Sequence, residues 1–222
     1  MLLGSDDKAF EVALHAGTAA ALLIALPTPR PTPHTALTLG PAALAGLALE
    51  DNVERRLGRR AVGVGQVLGG LGLLFADRAP GRRSESSATA RDALVIGLAQ
   101  ACALVPGVSR NGTTLTAARL MGFRRADASR MSRDAALPVI AGATALKLLR
   151  LRDPAPAPPY AGGFAAAFAS SLAAARLIPR IDRLPLAVFG LYRIALGLTV
   201  LLGDARSVTG QDASGQSASM GL

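Results

Sequence analysis

What most constrains this chain is a set of seven stretches with little or no charge: residues 12–29, 31–49, 61–76, 93–109, 135–146, 154–175 and 184–203. Ala, Leu and Val dominate them in continuous blocks, without the period-two alternation of half-buried strands. Crossing a bilayer takes about 20 apolar residues, roughly 17 at the least, and several blocks reach that only marginally. Half of the 222 residues are hydrophobic and the mean hydropathy is +0.37. Seven buried helices are too many for one soluble core of this size. The expected fold class is all-α: a polytopic integral membrane protein.

Charge is confined to the gaps between blocks. The net charge is +9, and Lys8 and Lys147 are the only lysines among 24 basic residues. Arginines cluster at Arg55, Arg56, Arg59 and Arg60, at Arg78, Arg82 and Arg83, at Arg124, Arg125, Arg130 and Arg133, at Arg150 and Arg152, and at Arg176, Arg180 and Arg183. Nucleic-acid surfaces interleave such clusters with aromatics, and this chain does not, so nucleic acid is not an expected partner. Anionic lipid, or a polyanionic lipid headgroup, fits the pattern better. Arginines flank the blocks on both sides, so the positive-inside rule does not orient the chain. Cys102 is the only cysteine, which excludes an intrachain disulfide and a cysteine-based metal site. His15 and His34 form no zinc motif. Residues 1–7 lack the positive n-region of a signal peptide.

One polar run stands out, Pro106-Gly107-Val108-Ser109-Arg110-Asn111-Gly112-Thr113-Thr114, set between the apolar residues 93–105 and 115–121. Gly and Pro break helices, so the segment reads as helix–loop–helix with a polar tip. The first helix, about a dozen residues before Pro106, suits a re-entrant segment better than a full span. Backbone N–H groups freed where the second helix starts, near Thr113, favour an anion. Arginine adds a planar fork matched to phosphate oxygens. These are the parts of a phosphate cradle. A simple capped turn uses the same residue types, and the two readings carry even weight on chemistry alone. The run is neither a Walker loop nor a GxSxG elbow.

The remaining segments fall around this loop. Residues 9–26 read as a helix with Glu11 and His15 on one face, either looking into a polar cavity or lying at an interface. Residues 27–33 and 154–159 are stiff proline connectors. Residues 35–49 and 61–76 form a helical pair around a basic turn at 51–60. Gly63, Gly65, Gly69, Gly70 and Gly72 on the second of these helices read as packing, with no chemistry. Arg119 and residues 123–134 return charge to the surface. Residues 135–149 form a helix broken or kinked near Pro138, and residues 164–178 and 184–202 are the last spans. Arg193, alone in the final block, is a functional candidate by default, weighed evenly against snorkelling or a structural pair. Residues 1–203 read as one transmembrane domain and 204–222 as a disordered polar tail.

The loop, with its flanks at 99–104 and 126–149, resembles the bacterial undecaprenyl-diphosphate phosphatases of the BacA type. Their second signature, PGxSRSG before a Thr-containing helix, reads PGVSRNGTT here, with Asn111 where serine is usual. Residues 9–12 with Gly17, residues 41–46 and residues 184–193 are similar to the same family, so the likeness covers nearly all but the tail. Two other features depart from it. The family's opening EFLPxSSxGH hairpin, which supplies glutamates, a serine and a histidine, has no counterpart in residues 1–8. Charges stand at Met131-Ser132-Arg133-Asp134-Ala135-Ala136, where the family has an apolar FSFLLA-like stretch.

The resemblance implies inverted repeats with re-entrant helix pairs, the first repeat incomplete here. It implies a multi-pass protein of the bacterial plasma membrane that hydrolyses a polyprenyl diphosphate to the monophosphate and inorganic phosphate. That reaction recycles the lipid carrier for peptidoglycan synthesis and confers bacitracin resistance. Mg2+ or Ca2+ would assist, and a homodimer is a candidate assembly. Arg110 and Ser109 would be catalytic. Gly107, Asn111, Gly112, Thr113, Thr114 and Arg193 would bind substrate, with Glu11 and His15 as the only acid/base pair. Because the other signature is unmatched, these 222 residues are expected to bind polyprenyl phosphates and to turn the diphosphate over poorly. The competing readings are a non-catalytic relative that binds or translocates a polyprenyl-phosphate lipid, and a small channel or transporter whose loop binds an inorganic anion.

Overall fold

The computed structural model describes residues 5–27, 29, 32–150 and 158–218. These residues form eight α-helices in chain order: α1 (Ser5–Ala25), α2 (Thr35–Arg56), α3 (Arg59–Arg78), α4 (Ala90–Cys102), α5 (Arg110–Leu120), α6 (Arg125–Arg150), α7 (Pro158–Ile181) and α8 (Leu186–Ala218), with a single 3-10 turn, Glu85–Ser87, before α4. There is no strand among the described residues, only one isolated bridge between Arg83 and Phe123. The all-helical expectation holds.

Several boundaries move. Helix α2 continues to Arg56, so the basic turn shrinks to Leu57 and Gly58. The charged residues 125–134, read as returning charge to the surface, are the first turns of α6, with Pro138 inside the helix. The second proline connector lies mostly outside the described residues; Pro158 and Pro159 open α7, where a missing N–H costs nothing. Helix α8 is drawn to Ala218, across most of the stretch read as a tail.

Helix α3 is the post of the fold, and its glycines decide what can lean on it. A β-carbon at Gly70 would lie 2.6 Å from the Gly190 carbonyl of α8, and one at Gly63 would lie 2.6 Å from Leu201. These contacts run in opposite order, so α3 and α8 pack antiparallel with their backbones nearly touching. On its other side, Gly65 faces the backbone of Pro106 and Gly107, and Gly72 faces Thr116. Helix α5 therefore lies along α3 in the same direction. Helices α1 and α7 pair in parallel, with Phe10 against Gly163 and Thr18 hydrogen-bonded to Ser171. Helix α6 bridges this pair to α5.

A small buried core ties one end of α3, α4, α5, α6 and α8 together: Leu73, Ala76, Ile96, Leu115, Ala118, Phe123, Ala128, Ala135 and Leu186. Arg119 belongs with it. The sequence places it at the surface, yet it is 7% exposed. Its guanidinium donates to the carbonyls of Ala76, Ala79 and Phe123. Two of these sit at the C-terminus of α3, where unpaired carbonyls and the helix dipole attract a cation. Nearby, Asp77 accepts the Leu186 N–H at the start of α8 at 2.7 Å.

Candidate active site

Helices α4 and α5 run into and out of the loop that carries PGVSRNGTT. Thr89 and Asp92 make a capping box at the start of α4. Arg83 reaches both Asp92 oxygens, at 3.0 and 2.6 Å, and lies 4.3 Å from the centroid of the Phe123 ring. The Arg83 guanidinium, with the Thr89 N–H and hydroxyl, holds the Asp92 carboxyl down at about 2. The start of α4 is thus clamped to the end of α5 at residues 121–124, where the N–H groups of Arg82 and Arg83 also donate to the Gly122 carbonyl.

At the tip, residues 103–109 wind through successive tight turns. Gly107 has φ +85°, and a β-carbon there would strike the Val62 carbonyl of α3. Glycine is required on both counts. Ser109 is the N-cap of α5, its hydroxyl accepting the Gly112 N–H at 3.2 Å. Here the sequence reading needs correction. The helix starts at Arg110, and the Thr113 N–H already bonds the Ser109 carbonyl at 2.9 Å. Among the described residues, the N–H groups of Arg110 and Asn111 are the unpaired donors, three residues earlier than expected.

The candidate side chains divide into two sets. Arg110 is half-buried, and among the described residues its guanidinium has no hydrogen-bond or ion-pair partner. Asn111 is exposed at the same helix start. By contrast Thr113 donates to the Ser109 and Arg110 carbonyls, both at 3.1 Å. Thr114 is 1% exposed, donates to the Arg110 carbonyl at 2.9 Å, and lies 2.5 Å from Ser132 of α6. Ser132 in turn donates to Asn111 Oδ1 at 2.7 Å. The two threonines therefore face the helix and α6, where they brace the loop from behind.

Arg193 comes from α8 and donates to the Gly107 carbonyl at 2.7 Å. Glu11 and His15 are 3.3 Å apart, and Lys147 joins them, 2.6 Å from Glu11 and 3.3 Å from His15. Lys147 and Ser132 lie on α6 fifteen positions apart, about 22 Å at 1.5 Å per residue. The acid/base pair and the loop are not brought together by this helix.

A family model described as Bacitracin resistance protein BacA matches residues 32–199, a segment that contains every loop residue above. The chain belongs to the BacA family. An undecaprenyl-diphosphatase of Chromohalobacter salexigens is 34% identical over 230 residues, covering 90% of this chain and 87% of that protein. One from Thermomicrobium roseum is 38% identical, covering 87% and 83%. One from Geobacter sulfurreducens is 40% identical over 169 residues, covering 72% and 63%.

Within this BacA-family chain, Ser132 is the residue that reading the sequence missed. It stood inside a stretch noted for its departure from the family pattern, on a separate helix from the loop. Only its side-chain geometry shows that it holds Asn111 and Thr114. For the divalent cation that the resemblance implies, no three of His, Cys, Asp and Glu gather among the described residues. The side chains at the loop offer hydroxyl, amide and guanidinium groups, without a carboxylate.

Proposed function

We propose that this chain hydrolyses undecaprenyl diphosphate to the monophosphate and inorganic phosphate, with the loop of residues 106–114 as its phosphate clamp. The reading rests on one observation: Arg110, a half-buried guanidinium with no partner among the described residues, stands beside the N–H groups that open α5. Burying a cation without a partner is costly, so the arrangement implies an anionic ligand. A diphosphate fits it. Two oxygens can take the arginine fork, and another can take the N–H groups of Arg110 and Asn111. Negative charge builds on those oxygens as the phosphoryl group transfers, and fixed donors then bind the transition state more tightly than the ground state. Ser109 keeps its hydroxyl proton for an oxygen, since its lone pair holds the Gly112 N–H.

The lipid tail suggests the setting. Residues 160–181 and 186–204 are long and apolar enough to cross a membrane. Leu191, Tyr192 and Leu202 of α8 are exposed, as are Leu44 and Leu47 of α2 and Leu68 and Phe75 of α3. Helices α4 and α5, of 13 and 11 residues, reach about 20 and 16 Å and fall short of a hydrocarbon core of about 30 Å. This favours a multi-pass protein of the bacterial plasma membrane, with α4 and α5 as a re-entrant pair that carries the clamp into the bilayer. The names of the relatives favour hydrolysis over a carrier or channel that lacks it.

The test is phosphate release from farnesyl or undecaprenyl diphosphate in detergent. Arg110→Ala should lower the rate by roughly 10²–10³, the usual cost of losing a transition-state donor. Arg110→Lys should recover only part of it, because a point charge does not replace the fork. An unchanged rate in Arg110→Ala would reduce the loop to a capped turn.

A further inference from the structure

We propose that Arg193 is a positioning residue: from inside α8 it holds the Gly107 carbonyl and so fixes the loop that presents Ser109 and Arg110, without itself touching the diphosphate. This inference rests on the clamp reading given above.

Four observations carry it. Among the described residues, the polar contact of Arg193 is Nη2 to the Gly107 carbonyl at 2.7 Å, and its buried Nε has no hydrogen-bond partner. Its guanidinium occupies a slot cut for it in α3. A β-carbon at Gly69 would lie 2.6 Å from Nη2 and 3.3 Å from Nε. The carbonyl it holds belongs to the one loop residue with a left-handed backbone. That residue is pressed on its other side against Val62. The loop thus sits between α3 and the arginine of α8, and Arg110 follows only three residues later. A peptide carbonyl at an irregular turn has no helical donor, and inside a bilayer no water replaces one. The guanidinium supplies that donor. Glycine at 69 therefore has a second duty beyond close helix packing.

A role of this kind differs measurably from substrate contact. One N–H donor is enough for a carbonyl, so lysine can stand in at position 193, whereas position 110 needs the fork. Hydrogen exchange on the detergent-solubilised full chain reads the loop without any substrate. Arg193→Ala should speed exchange of amides in residues 103–112 about tenfold, the effect of one lost hydrogen bond. Arg193→Lys should restore most of the protection, and α7 peptides should not change. Gly69→Ala, which crowds the guanidinium, should loosen the same peptide and add nothing in the Arg193→Ala background. Binding of radiolabelled farnesyl diphosphate should stay within about threefold for Arg193→Lys, while Arg110→Lys loses about tenfold or more.

Loop exchange unchanged in Arg193→Ala would overturn the proposal. So would Arg193→Lys that keeps the loop protected yet binds as poorly as Arg110→Lys, since Arg193 would then touch the phosphate. If the wild-type chain bound no farnesyl diphosphate, the clamp reading would fail, and the exchange data would still decide whether Arg193 holds the loop.

Discussion

Asn111 is exposed and its Oδ1 accepts the Ser132 hydroxyl, so the amide N–H2 is the part of this side chain left to donate. The amide can therefore donate to phosphate, as the serine usual at this position would. Asn111→Ser should bind farnesyl diphosphate within a few-fold of wild type. Asn111→Asp sets a carboxylate against the diphosphate and should weaken binding by at least about tenfold, like charges at contact being costly even near a surface. A titration of radiolabelled farnesyl diphosphate separates the two, and equal affinity of Asn111→Asp and wild type would remove Asn111 from the site. Reading the sequence singled out Ser109, Arg110 and Asn111 because their types and spacing suit anion chemistry, and the structure sets all three at the start of α5. It assigned Thr113 and Thr114 to the substrate because a hydroxyl has no visible direction in a sequence. Arg119 misled for a related reason: an arginine at the end of an apolar run reads as surface, and the three carbonyls that bury it come from residues 76, 79 and 123.

Among the elements, α3 was legible as a close-packing helix from its glycines, but their division of labour was not. Gly63 and Gly70 admit α8, Gly65 admits the loop, and Gly69 admits a guanidinium, assignments that depend on partners far along the chain, at residues 106, 190, 193 and 201. The junction of α3, α4 and α5 should be the least tolerant part of the fold. Arg119→Met would remove the guanidinium donor from the Ala79 and Phe123 carbonyls and a second donor from the Ala76 carbonyl, which also accepts the Ala79 N–H, and should cost about 3 kcal/mol, read as a loss of melting temperature in detergent. A change under about 0.5 kcal/mol would show that water or a shifted turn replaces the guanidinium. The Arg83–Asp92 clamp adds a pH dependence. The folded carboxyl is held at about 2, below its ordinary value near 4, so its contribution is complete above roughly pH 4 and is lost as pH falls toward 2. The wild-type melting temperature should fall across that window by more than that of Asp92→Asn, in which the group no longer titrates. Identical slopes would separate the clamp from stability.

At the scale of the whole molecule, the apolar blocks were legible as helices because their lengths and lack of alternation leave few alternatives. Where α2 and α6 extend past those blocks, at residues 50–56 and 125–134, charged residues tolerate helix well, and hydropathy alone does not show it. The Glu11–His15–Lys147 group illustrates the limit from the other side. The i, i+4 pair was visible, but Lys147 lies 132 residues beyond His15, and it makes the group an inter-helix ion pair between α1 and α6. Membrane integration is testable without any ligand: the expressed chain should stay with membranes through alkaline carbonate washing, and release as a soluble monomer would contradict the architecture. The clamp is tested most directly by binding of radiolabelled farnesyl diphosphate to the purified chain, wild type against Arg110→Ala. The account predicts a loss of about 10- to 100-fold, the worth of hydrogen bonds to a charged group. Equal affinity in the two proteins would contradict it.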